Sequence, residues 1–391
     1  MYHTQQKQET IELMQYYTDI EYMFIDGKKI EPTSVSYQFQ EEGDHIVNIQ
    51  FKNLDTYNSA LFKNNKNIKS VNFTDFNEYH IDLPFDSLFE NCINLYSVDI
   101  SHISYEFYSD VDYMFNGCTN LKFVNIKYIK IHKADYMFAN CTSLTSINLS
   151  TLDFFDSKFL RNMFENCFSL QTVILKNSKI FSAEDINNMF LNCYSLKELD
   201  FSSFDPKQIN DMNSVFYNCS SLTSIKFDND ISTIELKDIS HLFYNCSSLK
   251  TIDLTFLNSK KVESMNNMFE GCKSLTSIKF GINFDTSNVR YIGAMFSGCH
   301  SLKSIDYDLI ITNSVGSLAN LFSDCYSLTS INLKNFDVSN VYNFEYMFHN
   351  CYSLETINIS NFDIGAYSNL HGMFSGCSLL TSMDLSNLMP N

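Results

Sequence analysis

SNVYNFEYMFHNCYSLETINIS, residues 339–360, contains two hydrophobic periods in succession. In its first half Val341, Phe344, Met347 with Phe348, and Cys351 recur every three to four residues, the spacing that lines one face of a helix. Past the cysteine, Leu354, Ile357 and Ile359 point to one side, and the last two alternate at period two as in a half-buried strand. Asp337 and Ser339 stand where an N-cap would satisfy the first free amides. Asn350, like Gly117, Asn140 and Gly376 elsewhere, suits the left-handed residue that ends a helix. The stretch therefore predicts a short helix followed by a short strand.

That two-part unit repeats. All twelve cysteines of the 391-residue chain mark it, at Cys92, Cys118, Cys141, Cys167, Cys193, Cys219, Cys246, Cys272, Cys299, Cys325, Cys351 and Cys377, most of them 26 residues apart. A phenylalanine stands three residues before each cysteine, from Phe89 and Phe115 to Phe348 and Phe374, and a leucine three residues after it, as at Leu95, Leu222 and Leu354. Two more apolar residues follow at six and eight positions, Ile147 and Leu149 or Ile331 and Leu333 for example. A degenerate copy precedes the rest, with Phe62, Asn65 in the cysteine slot, Ile68 and Val71. The chain thus divides into an N-terminal segment, 1–54, and an array of about thirteen repeats over 55–391.

One short strand and one short helix in each 26-residue coil define an α/β repeat solenoid of leucine-rich-repeat type. A single unit cannot offset the conformational entropy lost in ordering it, so stacked neighbours must complete its core. Residues 1–20 are expected to form an exposed helix, and VSYQFQEEGDHIVNIQF (35–51) alternates around an acidic turn at Glu41 to Asp44, the pattern of a β-hairpin. Such a hairpin would cap a sheet edge whose amides otherwise stand open to other chains. The last residues, LSNLMPN (385–391), carry no polar capping unit, and read either as an array cut short there or as an imperfect closure of the final coil by Met389 and Pro390.

Composition excludes several classes of function. At 45% hydrophobic and 15% aromatic residues the chain is too apolar for a disordered polymer. No apolar run approaches the roughly 18 residues of a membrane span. A net charge of -18 repels phosphate backbones and anionic lipid, so neither nucleic acid nor direct membrane insertion is expected. The start, MYHTQQKQETIELMQYY, lacks the basic segment and continuous apolar core of an export signal, which leaves the cytoplasm open as a compartment on the residues alone.

The unit M-F-x-x-C-x-S-L-x-S-I-x-L-S-x-F-D-x-S-N-V, nearly complete at 268–289 and 321–341 and again from Met347 to Asp363, resembles the BspA-like leucine-rich-repeat surface proteins of bacteria and protists. The resemblance runs through the array and rests on a pattern repeated a dozen times. It implies a right-handed solenoid, cell-surface or extracellular location, and adhesion to host proteins or other cells.

Residues that could carry chemistry have plainer readings. The cysteine column lies between Phe and Leu columns and reads as core; regular 26-residue spacing is unlike the paired cysteines of a zinc site. The histidines fall at unrelated repeat positions, and Asp205, Asp285, Asp337 and Asp363 read as turn or cap residues. Neither a catalytic constellation nor a cofactor or metal motif is expected. The outward strand positions are the candidate binding face. Ser146, Ser224, Thr251, Ser277, Ser304, Ser330 and Thr356 form one polar column, and Asn148, Asp253, Asp306, Asn332 and Asn358 a second two residues on. Lys226, Lys279 and Glu198 interrupt them, which argues against a uniform ice-like lattice. The leading expectation is a monomeric, non-enzymatic protein-interaction or adhesion scaffold; recognition of a glycan or other ligand by these columns is the alternative.

Overall fold

A computed structural model describes residues 1–15, 20–31, 34–51, 60–73, 85–101, 108–178, 180, 182–202, 204, 209–227, 233–305, 310–333, 336–359, 362, 364–365 and 367–381. The chain divides into two compact units, Met1–Ser182 and Ala183–Asn391. The closing LSNLMPN lies outside the described residues.

The first unit begins with seven strands: β1 (Tyr2–Thr4), β2 (Thr10–Glu12), β3 (Ile20–Ile25), β4 (Lys28–Ile30), β5 (Ser36–Gln38), β6 (Gly43–His45) and β7 (Val47–Phe51). The helix expected over 1–20 is absent from its described residues, which hold β1 and β2 instead. In β2 burial alternates, with Ile11 inside and Thr10 and Glu12 outside, so the apolar period there is two. Nor do residues 35–51 close on themselves as a hairpin. β5 pairs antiparallel with β2, β6 with β1, and β7 with β3, which also pairs with β4. Buried Phe39 and His45 meet at 4.4 Å between ring centroids, and the His45 ring is bound at 2.7 Å to Asp26, a partner that a hairpin confined to 35–51 could not supply.

The edge of the first coil is covered by residues 1–3. The Met1 ammonium donates to the Ser70 carbonyl at 2.7 Å, the His3 amide to Asn67 at 2.9 Å, and the Lys69 amide to Met1 at 2.8 Å. Asn65, in the cysteine slot, explains why that coil departs from the repeat: its amide nitrogen donates to the carbonyls of Glu12 and Leu13, a reach that cysteine lacks.

Where a coil forms this strand, it begins five residues after the cysteine slot. In the first unit β8 (Ser70–Asn72), β9 (Ser97–Asp99) and β11 (Phe123–Asn125) form a parallel sheet in register, and β13 (Ser146–Asn148) pairs likewise with β14 (Thr172–Ile174). On the far side of the same coils β10 (Tyr108–Asp110) runs parallel to β12 (Lys130–Lys133). In the second unit the parallel pairs are β15 (Glu198–Phe201) with β16 (Ser224–Phe227), β17 (Thr251–Leu254) with β18 (Ser277–Phe280), and β19 (Ser330–Asn332) with β20 (Thr356–Asn358).

The segment before each cysteine corrects the expected α/β class. It is not a helix, and no helix occurs among the described residues. Two residues per coil, five and one before the cysteine, hold the left-handed conformation: Ser87 and Asn91 (φ 54° and 58°), Ser214 and Asn218 (56° and 60°), Tyr346 and Asn350 (54° and 57°). A right-handed helix cannot propagate through such residues. Amides alternate instead. Leu88, Glu90 and Cys92 donate three residues back, to Phe85, Ser87 and Phe89, while Ser87, Phe89 and Asn91 donate to Asp112, Met114 and Asn116 of the next coil. Chained turns of this kind return an apolar side chain every three or four residues, so their hydrophobic period imitates that of a helix. They differ in where the hydrogen bonds go: a helix closes them internally, and these turns spend half of them on the neighbour.

The interior of each unit is a set of ladders. Phe62, Phe89, Phe115, Phe138 and Phe164 stack near-parallel at 5.2–5.5 Å in the first unit, and Phe190 through Phe374 do so at 5.5–5.8 Å in the second. The cysteines are free thiols, buried except for half-buried Cys377. Each thiol with a described partner donates to the Phe carbonyl of the preceding coil, as Cys118 does to Phe89 at 3.0 Å and Cys219 to Phe190 at 3.2 Å. Burial pushes their ionisation up, that of Cys92 to about 12, which keeps them protonated and unreactive.

Candidate ligand-binding face

Alternation along each strand separates two sets of side chains. Ile147, Leu199, Ile252, Ile331 and Ile357 turn into the core, and their neighbours turn out. Every candidate residue within the described set has an exposed side chain: Ser146, Asn148, Ser224, Thr251, Asp253, Ser277, Ser304, Ser330, Asn332, Thr356 and Asn358. Asp306 lies outside the described residues, and Ser304 is exposed but not in a strand. Register brings some of them together: Ser330 faces Thr356 and Asn332 faces Asn358, while Thr251 faces Ser277. Ser146 and Asn148, in the first unit, face Thr172 and Ile174.

The Asn/Asp column has a structural duty as well. Asn148 Oδ1 accepts the Ser150 amide at 3.0 Å and Asp253 Oδ1 the Thr255 amide at 3.0 Å, turns that end the strand. Asp285 and Asp337 do the same further along, accepting the amides of Ser287 and Ser339, so they cap turns; Asp205 and Asp363 lie outside the described residues. The lysines that interrupt the columns are paired across coils. Lys279 meets Asp253 at 2.8 Å and holds that carboxyl below its usual range, and Lys226 stands 3.8 Å from Asp200. This second-unit stretch of the face is polar and charged.

In the first unit the face is hollowed into a trough of about 630 Å³ across β8, β9, β11, β13 and β14. Hydroxyls (Ser70, Ser97, Ser146, Thr172) and amides (Asn72, Asn125, Asn148) line it, with one carboxylate, Asp99, and one ammonium, Lys122. Asn125 donates to Asp99 at 2.9 Å. Phe123, 59% exposed, and Ile174 break the polar columns. Phe123 meets Tyr96 edge to face at 5.3 Å, and the Lys122 ammonium lies 5.6 Å from the Tyr96 ring centre. Reading the columns as Ser/Thr and Asn/Asp passed over both intruders; aligning the units on cysteine exposes them, since Phe123 occupies the Ser146 position and Ile174 the Asn148 position.

A second cluster had no signal in the repeat. Asp86, Asp110, Asp112 and Asp135 gather where β10 and β12 pair. Buried Asp135 is clamped by the Arg161 guanidinium at 2.5 and 3.0 Å, and Asp110 by Lys133 at 2.8 Å and His132 at 2.9 Å. Asp112 has no such cation: burial, then the charges of Asp135, Asp110 and Asp86, push its ionisation up to about 6, against the lowering effect of the Asp135 amide it binds. Among the described residues no group of three or more His, Cys, Asp or Glu side chains is placed to hold a metal ion.

Stacked strand-and-turn coils with inward leucines and an outward polar face define a leucine-rich-repeat solenoid. The BspA-type leucine-rich-repeat region model matches residues 33–162, 85–213 and 184–314, and the chain belongs to that family. Residues 306–388 match a family described as a Mycoplasma protein of unknown function. Among solved structures, the chain is similar to a leucine-rich-repeat protein of Bacteroides ovatus (20% identity, TM-score 0.40, covering 80% of this chain and 85% of that one). It is also similar to a leucine-rich cell surface protein of Faecalibacterium prausnitzii (19%, 0.44, 84% and 83%) and to the pneumococcal vaccine antigen PcpA (13%, 0.37, 89% and 87%). No curated protein matches. Among the described residues no helix is long and apolar enough to cross a membrane.

Proposed function

We propose that this chain is a non-enzymatic adhesion or protein-interaction scaffold, displayed at the cell surface as a monomer, that engages its partner through the exposed strand face. One observation carries the reading. Within the coils the inward Phe, Leu and Ile columns are buried, half of the turn amides are spent on neighbours, and the outward positions at Ser146, Ser224, Thr251, Ser277, Ser330 and Thr356 remain exposed with no packing role. A Ser/Thr column repeated coil after coil and free of internal duties suits an extended partner, as in other solenoids. Family membership supports the same reading. In this view residues 1–54 serve as a cap and 55–391 as the binding array.

Protease shaving of intact cells tests location, and capture of partners by the immobilised chain tests binding. The chain is expected to be released from intact cells. Capture is expected to fall when Ser330→Arg and Thr356→Arg are introduced together, with thermal stability unchanged because both side chains are exposed. A chain protected inside cells and capturing nothing would sink the reading.

A further inference from the structure

We propose that the trough of the first unit is a subsite for a neutral oligosaccharide, with Phe123 as its stacking platform and the neighbouring hydroxyls and amides as hydrogen-bonding partners. This names a ligand class for the strand face and rests on the reading of that face as the contact surface. Charge is the first reason. The chain carries -18, yet of the trough's described lining residues only Asp99 and Lys122 are charged, one of each sign. Such a lining gives an ionic ligand no net attraction and a neutral one no penalty.

Hydrogen-bonding capacity is the second. Serine and threonine hydroxyls and asparagine amides both donate and accept, as the hydroxyls of a sugar do. The strand amides lie within the sheet, so an extended peptide crossing the face finds no main-chain partner of the kind strand addition needs. Parallel strands in register repeat their outward groups at ~4.8 Å, a ladder on which successive sugar rings can each meet one rung.

Phe123 is the third. In a column otherwise filled by Ser97, Ser146 and Thr172 it is a large ring left 59% exposed, touching Tyr96 edge to face at 5.3 Å. Its burial is too slight to explain it as core, whereas the apolar C–H face of a pyranose stacks on just such a ring while its hydroxyls reach Ser146 and Asn148. In the second unit the corresponding described positions carry no aromatic residue and include Glu198 and the Asp200–Lys226 and Asp253–Lys279 pairs, which confines the subsite to the first unit.

The full chain, applied to an array of neutral, sialylated and sulfated oligosaccharides with calorimetry on the hits, provides the test. Binding is expected for neutral oligosaccharides alone. It should weaken about tenfold or more in Phe123→Ala, the loss typical of a ring at the centre of a contact. Asn148→Asp, which keeps the oxygen that accepts the Ser150 amide, should weaken it as well. Ile282→Ser, at a fully exposed turn position of the second unit off the strand face, should leave it unchanged, and thermal melts should confirm that all three variants fold. Binding restricted to acidic glycans, neutral binding that survives Phe123→Ala at full strength, or no glycan bound at all would each overturn the proposal. If no glycan binds while protein capture through the strand face persists, the saccharide subsite falls and the scaffold reading stands.

Discussion

At Asp112 the surroundings oppose ionisation: the carboxyl is half-buried, with Asp135, Asp110 and Asp86 nearby, and its pKa rises from 3.8 to about 6. The folded chain therefore binds this proton more tightly than the unfolded chain does. Its contribution to stability is full below about pH 4 and is lost as pH rises through about 6. Asp112→Asn retains an oxygen to accept the Asp135 amide, now 2.7 Å away, and removes the charge. It is expected to stabilise the chain at pH 7 by of order 1 kcal/mol, less than the ~3 kcal/mol to which the shift converts, because the carboxyl's exposed half is screened by solvent. Chemical denaturation at pH 4 and pH 7 checks this: the gain should appear at pH 7 and shrink at pH 4. The cysteines show the opposite economy: all but half-buried Cys377 are buried, and each with a described partner donates to the coil before it, as Cys246 does to the Phe216 carbonyl at 3.2 Å.

At the scale of the element, the turns before each cysteine separate what a hydrophobic pattern encodes from what it leaves open. Asn188 holds φ at 56° in the middle of the segment read as a helix. In a helix, Asn188→Ala would be more stable than Asn188→Gly by about 1 kcal/mol. With the left-handed backbone seen here the order reverses, and Asn188→Gly is expected to exceed Asn188→Ala by about 1 kcal/mol in denaturant melts. The sequence revealed which side chains are inside, because Phe190, Cys193 and Leu196 recur whatever backbone carries them. It also revealed the strands, where Leu199 and Phe201 alternate with exposed neighbours. Backbone sign was legible one residue before the cysteine, at Gly117, Asn140, Asn350 and Gly376, and hidden five before it, because Ser87, Tyr113, Asn188 and His241 share that left-handed position and serine and tyrosine carry no marked preference for it. The N-terminal pairings were hidden for another reason: β1 finds β6 some forty residues away, and alternation names a strand without naming its partner. On the face, the polar columns were legible from spacing, whereas the trough required knowing that five coils lie side by side.

For the molecule, stability and function depend on the same device, which is the equivalence of successive coils within a unit. Each coil lends half of its turn amides to the next and stacks its Phe on the next ring, so the strand face is held flat enough to present repeated side chains. An array of this kind behaves as a row of nearest neighbours, in which removing one whole element leaves the others able to meet again. Residues 247–272 span one cysteine-to-cysteine repeat, and their deletion would bring Cys246 directly before Lys273, restoring the period. Deleting 247–259 alone would leave half a coil and set Phe243 against Ile282, in the turn after β18, where it now meets Phe269 at 5.5 Å. The most direct test is the thermal unfolding of these two deletion variants beside the parent chain. The whole-coil deletion is expected to keep a cooperative transition close to that of the parent, and the half-coil deletion to lose it; equal damage from both, or a half-coil variant that folds normally, would contradict the stacking of equivalent coils.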